Sequence, residues 1–287
     1  MARIAALSDD LSSDFLDAAD LAAALPLDGL AVRNVDGANV RDLPADAVAR
    51  VKRIADERGL AIAALSSPFG RDLFLDDDDE PALEVLDRMI RYADILQTPL
   101  IRAFALWLPG KDALPEWWER PADEALPERL VERMSGYAAR AQKAGVTLMV
   151  ELEGASYVGQ VAEAKRLFEA VDSPALALCW DVCNGWWSGE LPWEQGWPIA
   201  RTLPIVDVQT KDVMAIADDA GRPAFEQVVL GTGDVPYDKI VAALLHHGYD
   251  GWFTAERVYH PRKPESEPQL RADILSDIAS LERLVRP

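Results

Sequence analysis

Short runs of aliphatic and β-branched residues recur along the whole chain, and most are separated by a stretch with apolar residues at helical spacing. The runs fall at 3–7, 29–33, 60–66, 100–104, 146–152, 176–181, 205–211 and 251–256. Strands that alternate with helices pair in parallel, because each helix is the crossover that returns the chain to the same edge. The stretch after the second run shows the grammar: Pro44 opens it, Val48, Val51, Ile54 and Ala55 share one helical face, and Gly59 stops it. The same pattern returns at 83–96, 130–144 and 240–246. An open doubly wound sheet also uses such units. Eight of them with no break for a second domain favour closure into a (β/α)8 barrel, an α/β fold, with residues 1–287 as one domain.

Two connections exceed ordinary barrel loops, 105–127 after the fourth strand and 213–229 after the seventh. The first carries Trp107, Trp117 and Trp118 on the face where the loops following the strands gather, so a lid or pocket wall is expected there, with a subunit contact as the alternative. The acidic run from Asp76 to Glu80 precedes a helical pattern and reads as a solvated helix start.

A formal charge of −20 removes the usual driving force for binding nucleic acid or an anionic membrane. No apolar run approaches the roughly 20 residues that span a bilayer, and the N-terminus lacks the apolar core of a signal peptide. Two cysteines, Cys179 and Cys183, are too few for a disulfide framework and read as small buried residues. A cytoplasmic protein acting on a small molecule is expected, with homo-oligomerisation left open.

In a closed barrel the chemistry sits at the C-terminal ends of the strands. The fifth run, VTLMVELEG, presents Glu151 and Glu153 on one side, because strand side chains alternate. The sixth ends in CWDVCN with Asp181, the seventh, IVDVQTKD, carries Asp207, Gln209 and Lys211 on one face, and the eighth ends in FTAERVYH with Glu256. Any one of these acids, taken alone, reads as a rim salt bridge. Three carboxylates converging on one mouth repel each other, and a divalent cation is the simplest neutraliser. All-oxygen ligation favours magnesium or manganese, with zinc or cobalt as the other ions to consider.

Lys211 and Arg102 point inward on their strands, where they bond substrate oxygens or neutralise the acids. Arg33 and Ser67, at the ends of the second and third strands, and Asn184 are further substrate-binding candidates by position. Among nine tryptophans, Trp186 or Trp187 is expected to line the pocket. His260, four residues past Glu256, is a candidate substrate or proton-transfer group, whereas His246 and His247 read as helix-end residues. The GTGD segment, Gly231 to Asp234, lacks the context of a nucleotide loop and reads as a turn.

Taken in order, ARIAALSDD, AVRNVDGANVRDLP, SSPFG, LIRAF, VELEG, WDVCNGWWSGE, VDVQTKD, VLGTGDVPYDKI and GYDGWFTAE resemble the xylose-isomerase-like TIM barrel family, the sugar-phosphate isomerases and epimerases, over the full length. The resemblance implies a metal site of Glu151, Asp181, Gln209 and Glu256, with Glu151 and Glu256 as the acid and base on opposite sides of the substrate. Two departures stand out. Gln209 replaces a histidine common in the family, and the D-x-x-H pattern after the sixth strand becomes Asp181 to Asn184.

The leading expectation is a divalent-metal-dependent isomerase or epimerase of a sugar or sugar derivative, moving a proton through a metal-stabilised enediolate. A metal-dependent dehydratase of a cyclitol or dehydroshikimate-like keto acid is the first rival, and a non-catalytic sugar-binding barrel is the second. A related apurinic-site endonuclease is disfavoured by only three histidines and the strong acidity.

Overall fold

The computed structural model describes residues 2–71, 73–110, 125–217, 223–257 and 266–287. The chain opens with β1 (Arg3–Leu7), a short α1 (Ser8–Leu11), α2 (Phe15–Ala23) and β2 (Gly29–Val32), followed by a small hairpin of β3 (Asn34–Val35) and β4 (Ala38–Asn39). It continues through α3 (Ala45–Glu57), β5 (Ala61–Phe69), α4 (Asp79–Leu96), β6 (Leu100–Ala103), α5 (Glu128–Ala144) and β7 (Thr147–Glu151). The second half runs α6 (Val161–Val171), β8 (Leu176–Asp181), α7 (Val182–Trp187), α8 (Trp197–Ala200), β9 (Ile205–Thr210), β10 (Asp212–Ala217), β11 (Pro223–Val228), α9 (Tyr237–His246), β12 (Trp252–Ala255) and α10 (Glu267–Val285).

Eight strands close into a parallel barrel in the order β1, β12, β9, β8, β7, β6, β5, β2. The seam pairs Arg3 with Trp252 and Ala6 with Ala255, joining the two ends of the chain. All eight anticipated runs are strands of this barrel, which is a single TIM-barrel domain.

Strand alternation divides the core into two layers. Ile4, Leu30, Ile101, Leu148, Val150 and Leu178 face outward beneath the helices, while Ala5, Leu7, Ala31, Ala63, Leu100, Met149, Cys179 and Trp252 fill the interior. Moving two residues along a strand returns to the same face. Leu100 is therefore followed inside by Arg102, Met149 by Glu151, Cys179 by Asp181, and Trp252 by Thr254 and then Glu256. The interior is apolar through most of its depth and turns polar at the C-terminal ends, which is how ordinary strand periodicity delivers charged groups to one mouth.

The helices obey the expected signals. In α3, Val48, Val51, Ile54 and Ala55 are the buried face, and Gly59, at φ 67°, reverses the chain into β5. Asp78 caps α4 by accepting from the Glu80 amide, so the acidic run does mark a helix start.

Two long connections follow β6 and β9. The connection 213–229 is largely not irregular: β10 and β11 pair antiparallel from Asp212↔Val228 to Ala217↔Pro223. The residues of 105–127 are described only in part. Trp107 is buried, bridges in β fashion to Phe74 and Ser156, and is a fixed part of the scaffold at the foot of that loop. Trp117 and Trp118 lie outside the described residues.

Candidate metal centre at the barrel mouth

Glu151 ends β7, Asp181 ends β8 and Glu256 follows β12, and one oxygen from each lies within 4.8 Å of the others. All three are buried. Gln209 stands on β9 beside Asp181 in register, and it is buried with an Oε1 that has no hydrogen-bond partner. A buried amide oxygen left unsatisfied is uncommon, because its desolvation costs about 1–3 kcal/mol.

Three cations are threaded through the acids. Arg102 Nη1 donates to Glu151 Oε2 at 3.0 Å, and its other nitrogens donate to the carbonyls of Ser66 and Ser67. Lys211 Nζ donates to Asp181 and, at 3.3 Å, to Glu256 Oε2. Arg33 donates to Asp9 and Asp10 and reaches Glu256 Oε1 at 3.0 Å. Five buried carboxylates thus meet three cations, a formal balance of −2: Arg33 and Lys211 join Asp9, Asp10, Glu256 and Asp181 in one network, and Arg102 pairs with Glu151 beside it.

The proton affinities reflect this surplus. Burial pushes Asp181 up to about 7, and the repulsion of Glu256 and Glu151 adds to burial against the pull of Lys211. Burial likewise raises Glu151, with Arg102 opposing. Glu256 moves the other way, because Lys211, Arg33 and Arg102 together outweigh its burial. Lys211 is buried yet held charged, since Asp181 and Glu256 outweigh desolvation.

The donor set fits a hard divalent cation: three carboxylates, one unsatisfied amide oxygen and a charge deficit of the matching size, with no sulfur or imidazole among these groups. Glu153 lies beyond the end of β7 and accepts from the Ala155 amide, at the wall of the cavity. Asp207 sits deeper on β9, bonded to Thr254 Oγ1 at 2.7 Å, with burial raising it to about 7.

A cavity of about 560 Å³ opens over these groups, lined among others by Arg33, Arg102, Asn184, Trp187 and Lys211. Asn184 donates to the Leu152 carbonyl at 2.8 Å and faces this space. Ser67 does not: its hydroxyl is fully buried and accepts from the Phe69 amide, so it shapes the end of β5. Of the tryptophan pair, Trp187 lines the cavity. Trp186 packs edge-on against Phe225 of β11 at 5.0 Å and is not a lining residue. His260 lies outside the described residues. His247 closes α9 and meets Trp197 edge-on, far in role from the mouth.

Reading the sequence alone missed Asp9, Asp10 and Arg257. The two aspartates occupy the four-residue α1 directly after β1, and Asp10 also accepts from the Arg257 amide. The signal was an acidic pair immediately following the first strand, at the face where barrel chemistry sits. The GTGD turn is held by Asp212, whose carboxylate accepts from the amides of Gly231 and Gly233, both at 2.9 Å. A second hollow of about 520 Å³ lies at the opposite end of the barrel, near Arg3 and Trp252, but its charged residues are exposed or half-exposed, and Lys52 is paired with Asp56.

A parallel eight-stranded barrel with its buried polar cluster at the strand C-termini defines an α/β-barrel protein of the kind that carries chemistry at that face. Residues 19–278 match the family model described as xylose isomerase-like TIM barrel, and the chain belongs to that family.

Solved structures agree in fold. The probable 3-DHS dehydratase AsbF of Bacillus anthracis aligns with a TM-score of 0.74 at 16% identity, covering 97% of this chain and 98% of its own. An L-ribulose 3-epimerase aligns at 0.64 and 19% identity over 99% and 95% of the two chains. A xylose isomerase-like TIM barrel protein from Mycobacterium smegmatis, solved in complex with magnesium, aligns at 0.66 and 18% identity over 99% and 97%. Among curated proteins, none matches the sequence.

Proposed function

We propose that the chain is a divalent-metal-dependent isomerase or epimerase of a sugar or sugar derivative. The observation that carries this reading is the convergence of Glu151, Asp181 and Glu256 with the unsatisfied oxygen of Gln209. These four residues would hold the ion, with magnesium or manganese favoured by the oxygen donors. When bound, such a cation polarises a substrate carbonyl and offsets negative charge that develops beside it.

The protein's own groups supply the rest. Glu151 and Glu256 come from strands on opposite sides of the cluster, β7 and β12, and serve as the acid and base that remove and return a proton on the carbon next to the carbonyl. Their surroundings divide the labour. Both oxygens of Glu256 face cations, which favours its ionised form as a base, whereas Glu151 is held by Arg102 through Oε2 alone. Lys211 and Asn184 bind substrate oxygens, and Trp187 supplies a flat wall against C–H faces.

The test is exchange of a substrate C–H in deuterated water with manganese present, for wild type and for Glu151→Gln and Glu256→Gln. Exchange that persists near the wild-type rate in either variant sinks the assignment. A dehydratase is the second reading, favoured by the Lys211 ammonium beside the triad, which would donate a hydrogen bond to a departing hydroxyl. A product lighter by one water distinguishes it.

A further inference from the structure

Among the described residues, five cationic side chains line the mouth: Arg33, Arg71, Arg102, Lys211 and Arg257. Four are committed. Arg33, Arg102 and Lys211 hold the buried acids, and Arg257 pairs with Asp277 and Asp273 of α10. Arg71 is the exception. It is exposed at the lip, and it has no carboxylate partner among the described residues.

Its position is nonetheless built. Gly70 precedes it at φ 86°, and a Cβ there would lie 2.1 Å from the Phe104 carbonyl oxygen, so only glycine lets this turn press onto the chain leaving β6. The Arg71 amide donates to the Pro68 carbonyl at 2.9 Å, which closes the turn. The guanidinium lies 5.8 Å from the centre of the Trp107 ring. Trp107 meets Phe104 edge-on at 5.6 Å, and Phe104 in turn lies 5.2 Å beneath the guanidinium of Arg102. A continuous row therefore leads outward from Glu151 through Arg102, Phe104 and Trp107 to Arg71.

We propose that Arg71 binds the carboxylate of an acidic sugar or keto acid whose carbonyl end lies at Glu151 and Glu256. This rests on the mouth being the substrate site. In a chain of net charge −20, an anionic ligand is repelled unless a specific cation receives it, and among the described residues Arg71 is the one lining cation without a carboxylate partner. A guanidinium fork matches a carboxylate through two parallel N–H donors. The fork also matches phosphate, but one guanidinium balances the single charge of a carboxylate and leaves a phosphate dianion with net negative charge above the buried acids, so a singly charged acid is the better match.

Matched probes test this by calorimetry on the full chain, with and without magnesium chloride: D-glucuronate against D-glucose, and D-galacturonate against D-galactose. Wild type is expected to bind each acid about tenfold or more tightly than its neutral partner. Arg71→Gln brings the two within about twofold, Arg71→Lys keeps part of the preference, and the melting temperature of both variants stays unchanged. The inference is overturned if the preference survives Arg71→Gln, if wild type shows none or binds neither acid, or if D-glucose 6-phosphate binds more tightly than D-glucuronate through Arg71. Deuterium exchange separates the two readings. An Arg71-dependent acid preference in a protein that exchanges no substrate proton keeps the anion site and removes the isomerase, while exchange of neutral sugars without that preference does the reverse.

Discussion

Arg33 Nη1 lies 3.0 Å from Glu256 Oε1 across 223 residues of sequence, a buried ion pair that ties the end of the second barrel strand to the end of the last. The same guanidinium holds Asp9 and Asp10, so one side chain compensates three carboxylates.

Replacing it leaves Asp9 and Asp10 buried without a counterion and Glu256 with Lys211 alone. Arg33→Met is expected to cost about 3–5 kcal/mol of stability, the range for breaking a buried pair on one side. The half-exposed pair of Arg50 with Asp36 is the control, and Arg50→Ala should cost about 1 kcal/mol or less. Urea unfolding followed by tryptophan fluorescence measures both.

Metal content tests the centre itself. Wild type reloaded with manganese is expected to hold about one ion per chain, and Glu151→Gln, Gln209→Ala and Glu256→Gln to weaken or lose it. Gln209→His introduces a nitrogen donor and should move the preference toward zinc over magnesium. Because burial raises Asp181 to about 7, a proton competes with the ion below that pH. Manganese affinity should therefore tighten up to about tenfold per pH unit as pH rises toward 7 and level off above it. A pH-independent affinity measured by titration calorimetry would contradict this.

Glu190 offers a pH dependence away from the mouth. Its Oε2 accepts from the Val161 amide at the start of α6, its Oε1 is unsatisfied, and burial pushes it from 4.5 up to about 7. Below about 4.5 the group is protonated in both folded and unfolded chains and contributes nothing. Between 4.5 and 7 the unfolded chain ionises first, so it binds fewer protons and stability falls as pH rises, by about 3 kcal/mol in total. Glu190→Gln removes this loss. The difference in unfolding free energy between variant and wild type should shift by about that amount in favour of the variant between pH 4 and pH 8.

Gly70 tests the turn that carries Arg71. Gly70→Ala meets both an unfavourable φ and the Phe104 carbonyl, and should cost at least about 1–3 kcal/mol, read as a lowered denaturation midpoint. Gly136, with open space around its Cβ position inside α5, is the contrast: Gly136→Ala should be neutral or stabilising by up to about 1 kcal/mol.

The barrel was legible because strand periodicity is a local property. Glu151, Asp181 and Gln209 occupy inward positions two residues beyond interior neighbours, which a reader can count along each run. What the counting cannot reach is decided by packing between elements. Asp9 and Asp10 look like ordinary helix-start residues until β2 brings Arg33 against them. Trp186 and Trp187 are adjacent on the six-residue α7, about 100° apart around its axis; both pack against Phe225, from a hairpin that composition did not announce, and it is Trp187 that lines the cavity. Ser67 looks like a strand-end residue in the sequence, but β5 runs on to Phe69, and its short hydroxyl accepts from the Phe69 amide and never reaches the mouth.

That hairpin separates two kinds of inheritance within one chain. Gln209 and Lys211 belong to the barrel strand and its immediate end, whereas β10 and β11 hang beyond them and brace the Trp187 wall through Phe225. Changes between 213 and 228 can therefore remould the walls of the chamber while the carboxylates keep their spacing. Evolution or a protein engineer can exchange what the mouth admits without rebuilding what it does.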